Sequence, residues 1–316
     1  MAKIKIPLTV LGDVAWDVLV RPNSPLLPGG DVFGEITIAP GGCAANTAVW
    51  AVRCGLKTSF IGKIGSDRFG LMAKENLEHE KVAAHLVYTD KHHTATVAVW
   101  INREGERSTV FGQGADYYLL ASELPAQKLK KTNHLHLTAW SLFSDPPRAA
   151  AYHAAGLVKE MGGTISLDPA SFQMIDQAGK ERSLEYFKNI PIDLFFPNLA
   201  EGKLLSGEDL PEKVISKLSE LFPSAIIILK LGANGALIRQ DEQTIRIKAA
   251  VDSIIDSTGA GDSFTGAFLA KFLTGVSPVQ AGTFAVKISS WVVNHVGAQP
   301  GSDKDLRSII KSFIKL

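Results

Sequence analysis

The chain has 316 residues, 46% of them hydrophobic, enough for one large α/β domain with an insertion or for two modest domains. Its 33 basic and 32 acidic residues leave a formal charge of +1, which excludes the electrostatic footprint of a nucleic-acid or anionic-membrane binder and points to a small ligand. The longest apolar runs, such as 225–229, are too short to span a bilayer, and Asp13 and Asp17 interrupt the first apolar stretch, so a cytoplasmic location is the default expectation.

Short β-branched runs alternate with longer helical stretches, the pattern of an αβα sandwich with a mostly parallel sheet. In chain order the pattern predicts a strand at Leu8–Leu11, a helix at Ala44–Arg53, a strand at Thr58–Ile61 and a helix at Gly70–Glu80. Further strands are expected at His134–Leu137, Thr164–Leu167, Leu194–Phe196 and Ile226–Lys230, with helices at Pro147–Met161 and Glu212–Leu221 between them. Two segments break the alternation. Residues 18–39 are punctuated by Pro22, Pro25, Pro28 and Gly29-Gly30, and Thr94–Asn102 with Arg107–Phe111 reads as a hairpin turning through 103–106. Together they predict a small β-sheet standing off the core. Both faces of its 94–102 strand are apolar (Thr94, Thr96, Ala98, Trp100 against Ala95, Val97, Val99, Ile101), so one should cover a ligand and the other a partner, for instance a second copy of the chain.

Cys43 and Cys54 end one helical run about 16 Å apart, whereas a disulfide needs Cα atoms within about 7 Å, so both are expected as buried thiols. His134 and His136 share one face of a strand, without cysteine or carboxylate companions at metal-ligand spacing, and are expected as packed or rim residues.

Several polar motifs each admit two readings. Asp17 follows the first strand, where a carboxylate can accept sugar hydroxyls or simply be solvated. Gly41-Gly42 turns into a helix of small residues carrying Asn46, which either meets a ligand or serves the loop backbone. Asn198 and Glu201, one helical turn apart, can hold hydrated Mg2+ or cap a helix. Lys230 to Gly235 is a strand-to-turn junction or a backbone passing close to a ligand. Asp256-Ser257-Thr258-Gly259-Ala260-Gly261-Asp262 opens a helix whose first amides can hold a phosphate, with Asp262 aimed at it; mere capping is the other reading. The loop is neither a Walker A sequence nor a dinucleotide fingerprint, since Phe264 occupies the third glycine position.

Taken in order, these motifs resemble the ribokinase-like, or PfkB, carbohydrate kinases from about Val10 to Pro300. The resemblance also takes in Gly62 to Asp67 with Gly70, the 105–107 hairpin and Gly297-Ala298. It implies a single kinase domain over residues 1–316, a Rossmann-like core with lid segments at about 14–40 and 91–113, and a lid that often forms a dimer contact. It further implies transfer of the ATP γ-phosphoryl group to a primary hydroxyl of a small sugar or nucleoside. Asp262 stands at the family's catalytic base and Gly259, Ala260 and Gly261 at its anion hole, while Asp17, Gly42 and Asn46 match substrate positions. Asn198 and Glu201 match the pair associated with hydrated Mg2+, Lys230, Gly232 and Gly235 fall in the nucleotide loop, and Asp256 and Thr258 match a K+ loop of several members. Three departures bear on the acceptor. Cys43 replaces the Lys typical of ribose kinases, Asp168-Pro169-Ala170-Ser171-Phe172 lacks the Asn and Arg found in acidic-sugar kinases and many fructokinases, and Asp116 replaces the usual Asn beyond the lid. Trp16, Trp100 and Trp140 are expected near the pocket rim. The alternative is a non-catalytic nucleotide or sugar sensor on the same fold.

Overall fold

The computed structural model describes residues 5–101, 107–249 and 254–313. Its larger sheet has 9 strands: β1 (Ile6–Leu11), β4 (Thr58–Gly65), β5 (Ala83–Thr89), β8 (Thr132–Thr138), β9 (Thr164–Asp168), β10 (Leu194–Phe195), β11 (Ile226–Lys230), β12 (Ala236–Gln240) and β13 (Gln243–Ile247). They lie in the order β13-β12-β11-β10-β9-β8-β1-β4-β5, parallel except where β12 and β13 close one edge as a hairpin. Alternate side chains enter the two cores. Ile228 on β11 packs on one face of the sheet, while Ile227 and Leu229 pack on the other.

The first face is covered by α1 (Cys43–Arg53), α2 (Arg68–His79), α9 (Ala260–Phe272), α10 (Pro278–Val292) and α11 (Lys304–Ser312). The second is covered by α3 (Ala126–Leu129), α4 (Pro147–Glu160), α5 (Phe172–Ala178), α6 (Lys180–Lys188), α7 (Leu199–Ser206) and α8 (Pro211–Leu221). From β1 the chain builds outward through β4 to β5, then returns to the other side of β1 with β8. The strand order therefore reverses between β1 and β8, and a crevice opens beyond their carboxyl ends. Among the described residues no helix is long and apolar enough to cross a membrane.

The lid is a 4-stranded sheet in the order β3-β2-β6-β7, made of β2 (Ala15–Pro22), β3 (Gly34–Gly41), β6 (Ala95–Ile101) and β7 (Arg107–Gly112). Its register puts Ala39, Asp17, Val97 and Phe111 in one row facing the crevice, and Ile38, Val18, Ala98 and Val110 in the next row facing out. The hairpin turn expected through 103–106 lies outside the described residues. The Gly65 to Gly70 motif pins this lid to the core. Asp67 caps α2 at Gly70 N (2.8 Å) and also accepts from Thr94 N (2.7 Å) just before β6. Trp16, expected at the pocket rim, is buried at the lid's base and donates to Phe69 O (3.0 Å).

Helices α1 and α9 meet at Gly266, where an added Cβ would lie 2.6 Å from Thr47 O and 2.9 Å from Ala51 N. Such overpacking costs about 1–3 kcal/mol, more than the ~1 kcal/mol of helix propensity that alanine adds. Gly266→Ala should therefore lower the urea midpoint, whereas Gly156→Ala in α4, where no atom lies within 4 Å, should raise it. Equal shifts in the two variants would remove this account of the helix contact.

Candidate active site

Five parallel strands deliver polar groups to the crevice at their carboxyl ends. Asp13 follows β1, Trp140 follows β8, Asp168 ends β9, Asn198 lies beyond β10 and Lys230 ends β11. Two helices point their N-termini at the same place. Gly42 precedes α1 with φ 92° and Gly259 precedes α9 with φ 72°, and a Cβ would lie 2.7 Å from Val14 Cα or 2.6 Å from Ala298 Cα respectively. Only glycine fits either turn. Asp13 caps α1 from a distance, accepting Cys43 N (2.6 Å) and Ala44 N (3.1 Å). At α9, Ala260 N turns to Ser257 O (3.3 Å) and Ser263 N to Gly259 O (2.8 Å), while the Gly261 and Asp262 amides meet no acceptor among the described residues.

Two cavities, of about 360 and 220 Å3, share a wall of Cys43, Ala170, Gly259 and Asp262. The larger one has a polar end of Asp168, Asn198, Glu201 and Lys230 beside Gly261, and an apolar end of Ile254, Phe264, Val286 and Val293. Gly232 and Gly235 line it too. The smaller one lies under the lid and is lined by Asp17, Gly42 and Asn46, by Val97, Val99 and Phe111 of the lid, and by Trp140. The Phe111 and Trp140 rings are 4.9 Å apart. Asp262 belongs to both cavities, and its Oδ2 accepts from Asn46 Nδ2 at 2.8 Å. Asn46 is held in turn by Gln299 (2.8 Å), and Gln299 by Asn76 (3.0 Å).

Charge is unevenly distributed here. Lys230 Nζ bonds Asp168 Oδ2 at 2.5 Å, and Thr265 Oγ1 donates to the same oxygen at 3.0 Å. Burial opposes the Lys230 charge, but Asp168 and Glu201 outweigh it and raise its pKa. Burial and then the Asp168 charge push Glu201 up to about 8. Burial, followed by Asp168 and Asp13, pushes Asp262 up to about 7 against the opposing Asn46 amide and Lys230. Among its described lining residues the larger cavity has one lysine to three carboxyls, a shortage of positive charge that favours a cation.

Several expectations change in the structure. Asn198 and Glu201 do form a capping box: Asn198 N donates to Glu201 Oε2 (2.8 Å) and Glu201 N to Asn198 Oδ1 (2.9 Å). The pair nevertheless lines the larger cavity, so the capping role does not remove it from the cavity wall. Cys43 is only half-buried and stands in the shared wall, while Cys54 is buried. Burial and the charges of Asp262, Asp13 and Asp168 raise the Cys43 thiol well above its ordinary value, which favours the neutral thiol. Of the three tryptophans expected at the rim, Trp140 alone lines a cavity. Asp256 lines neither: Oδ1 accepts Thr258 N (2.9 Å) and Thr258 Oγ1 (2.7 Å), and Oδ2 accepts Gly297 N (2.9 Å). His134 and His136 are core residues sharing Ser166 Oγ at 2.8 Å, and burial holds both neutral with pKa about 3. Sequence reasoning missed Asp13 and Asp168 as site groups. Their only signal was an acidic residue at the carboxyl end of a strand. Ala170 in the shared wall holds φ 63°, a left-handed conformation that costs alanine about 1 kcal/mol or more.

Comparison with known proteins places the chain. Residues 9–305 match the model described as "pfkB family carbohydrate kinase". A fructokinase of Escherichia coli is 32% identical over 272 residues, 85% of this chain and 83% of its own length. An ATP-dependent 6-phosphofructokinase of Thermoanaerobacterium thermosaccharolyticum is 25% identical over 260 residues, 82% of this chain and 80% of that one. Among solved structures, an Escherichia coli protein described as ribokinase II, in complex with ATP and Mg2+, superimposes with a TM-score of 0.83 at 25% identity, covering 98% of both chains. The sheet order, the lid and the family match over nearly the whole chain agree, and the protein belongs to the pfkB family of carbohydrate kinases.

Proposed function

We propose that this chain, acting as one catalytic unit of core and lid, transfers the γ-phosphoryl group of ATP to a primary hydroxyl of a small sugar or nucleoside, with Asp262 as the base. The observation that supports this most is the shared wall. A nucleotide-sized cavity and a sugar-sized cavity meet at one carboxylate, beside helix amides that have no acceptor among the described residues.

ATP lies in the larger cavity, its base against Val286 and Val293 and its phosphates toward Lys230 and the amides of Gly261 and Asp262. Asn198 and Glu201 would hold hydrated Mg2+, which would supply charge neutralisation on the phosphates. The acceptor lies under the lid, its hydroxyls on Asp17 and Asn46 and its ring against Phe111 and Trp140. Asn46 fixes one Asp262 oxygen, and the carboxylate takes the proton of the attacking hydroxyl as the hydroxyl oxygen bonds phosphorus and ADP departs. The helix amides meet the charge on the transferring group. A K+ ion beside Asp256 and Thr258 would act on this loop from behind, since Asp256 already braces it through Thr258 and Gly297.

The outer lid face is the proposed contact with a second copy. Ile36 is 67% exposed and Val110 71%, in adjacent rows of one sheet face. Sedimentation at micromolar concentration should give a dimer that Val110→Glu dissociates; a monomeric wild type would reject the contact.

For the chemistry, Asp262→Asn should leave a folded, ATP-binding protein whose ADP release, assayed on a panel of sugars and nucleosides, falls by about 10² to 10⁴ in kcat. Ligand binding by the wild type with no turnover on any acceptor would favour the sensor instead. The base must be ionised to accept a proton, and its pKa is raised to about 7. kcat/KM should therefore fall as pH drops through about 7; a flat profile from pH 5.5 to 8.5 would argue against Asp262 as base.

A further inference from the structure

The smaller cavity ends in a wall of carboxyls. Asp13, Asp17 and Asp116 line it, and among the described residues no lysine, arginine or histidine does. Asp13 is satisfied by two amides and by Thr138 Oγ1 at 2.9 Å. Asp116 is different. It sits on the short helical turn Ala115–Tyr118 just past the lid, and its Oδ1 is buried without a hydrogen-bond partner among the described residues. A buried acceptor atom left unpaired costs about 1–3 kcal/mol, so the position favours a ligand that brings a donor. Burial, with Asp13 close by, pushes this carboxyl up to about 7, so the strain of a second negative charge is already present in the empty cavity.

On the kinase reading above, we infer that Asp116 is a specificity residue: it takes a hydroxyl or amino donor from the acceptor and, with Asp13 beside it, rejects acceptors bearing a phosphate or carboxylate at that end. The acceptor class is thereby an uncharged or amine-bearing sugar or nucleoside. A phosphorylated acceptor, such as the name of the phosphofructokinase relative denotes, calls for cationic groups, and this cavity has none among its described lining residues. Lys230, whose charge acts on Asp262, lines the other cavity and is bonded to Asp168.

The test compares fructose, 1-amino-1-deoxyfructose and fructose 6-phosphate on wild type, Asp116→Asn and Asp116→Ala, reading ADP release and, by calorimetry with a non-hydrolysable ATP analogue, acceptor binding. The wild type should prefer the uncharged and amine-bearing ligands to the phosphate by about a hundredfold, since like-charge juxtaposition costs several kcal/mol. Asp116→Asn, with a melting temperature no lower than wild type and unchanged ATP affinity, should shrink that ratio at least tenfold by improving the phosphate arm and abolish any preference for the amine. A merely structural role would weaken all three acceptors together and leave the ratio intact, and that result overturns the inference. So does a wild type that binds the phosphorylated sugar best. Selective binding with no ADP from any acceptor would support the charge filter while removing the kinase reading on which it was built.

Discussion

The site depends on one steric constraint, the close approach of α1 and α9. Gly266 leaves no side chain between the helices and faces the Thr47 to Ala51 stretch of α1, so the two backbones approach closely. Both helices begin at glycines that alone fit their turns, and both aim their first amides at the switch point of the sheet. The contact therefore fixes Asn46 of one helix against Asp262 of the other at 2.8 Å, across 216 residues of sequence. Gln299 holds the other end of the Asn46 amide at 2.8 Å.

Electrostatics then divides the crevice. Asp168 occupies Lys230 on the side of the larger cavity, so the lysine's charge is partly spent before any ligand arrives. Asp13 occupies the α1 amides on the other side, which removes one of the two anion-friendly helix ends. What remains open to an anion is the α9 end, at Gly261 and Asp262. This asymmetry gives direction to the site: phosphate on one side of Asp262, hydroxyl donors on the other.

Much of this was legible in the sequence, for identifiable reasons. Buried parallel strands such as Ile226–Lys230 are continuous apolar runs bounded by polar turns, and that strand is found at its expected limits. β4 was read short because Gly62, Lys63 and Gly65 break the apolar run, although every residue of the strand is buried. The buried Lys63 is paired with Glu123 at 2.7 Å, a contact 60 residues away that no local pattern announces. The edge strands β5 and β13 carry little periodicity to announce them, one being mostly half-buried and the other mostly exposed. At the site, glycine turns and Asp262 were visible from spacing, whereas the roles of Asp13, Asp116 and Asp168 arise from burial and mutual charge, which exist only once the chain is folded.

The central claim is that nucleotide and acceptor occupy separate cavities that meet at Asp262. A crystal structure with a non-hydrolysable ATP analogue, Mg2+ and a neutral sugar tests it most directly. The account predicts the γ-phosphate at the Gly261 and Asp262 amides, the base between Val286 and Val293, and an acceptor hydroxyl within hydrogen-bond distance of the Asp262 carboxylate. A triphosphate lying under the lid, or a γ-phosphate remote from Asp262 with the sugar bound, would contradict it.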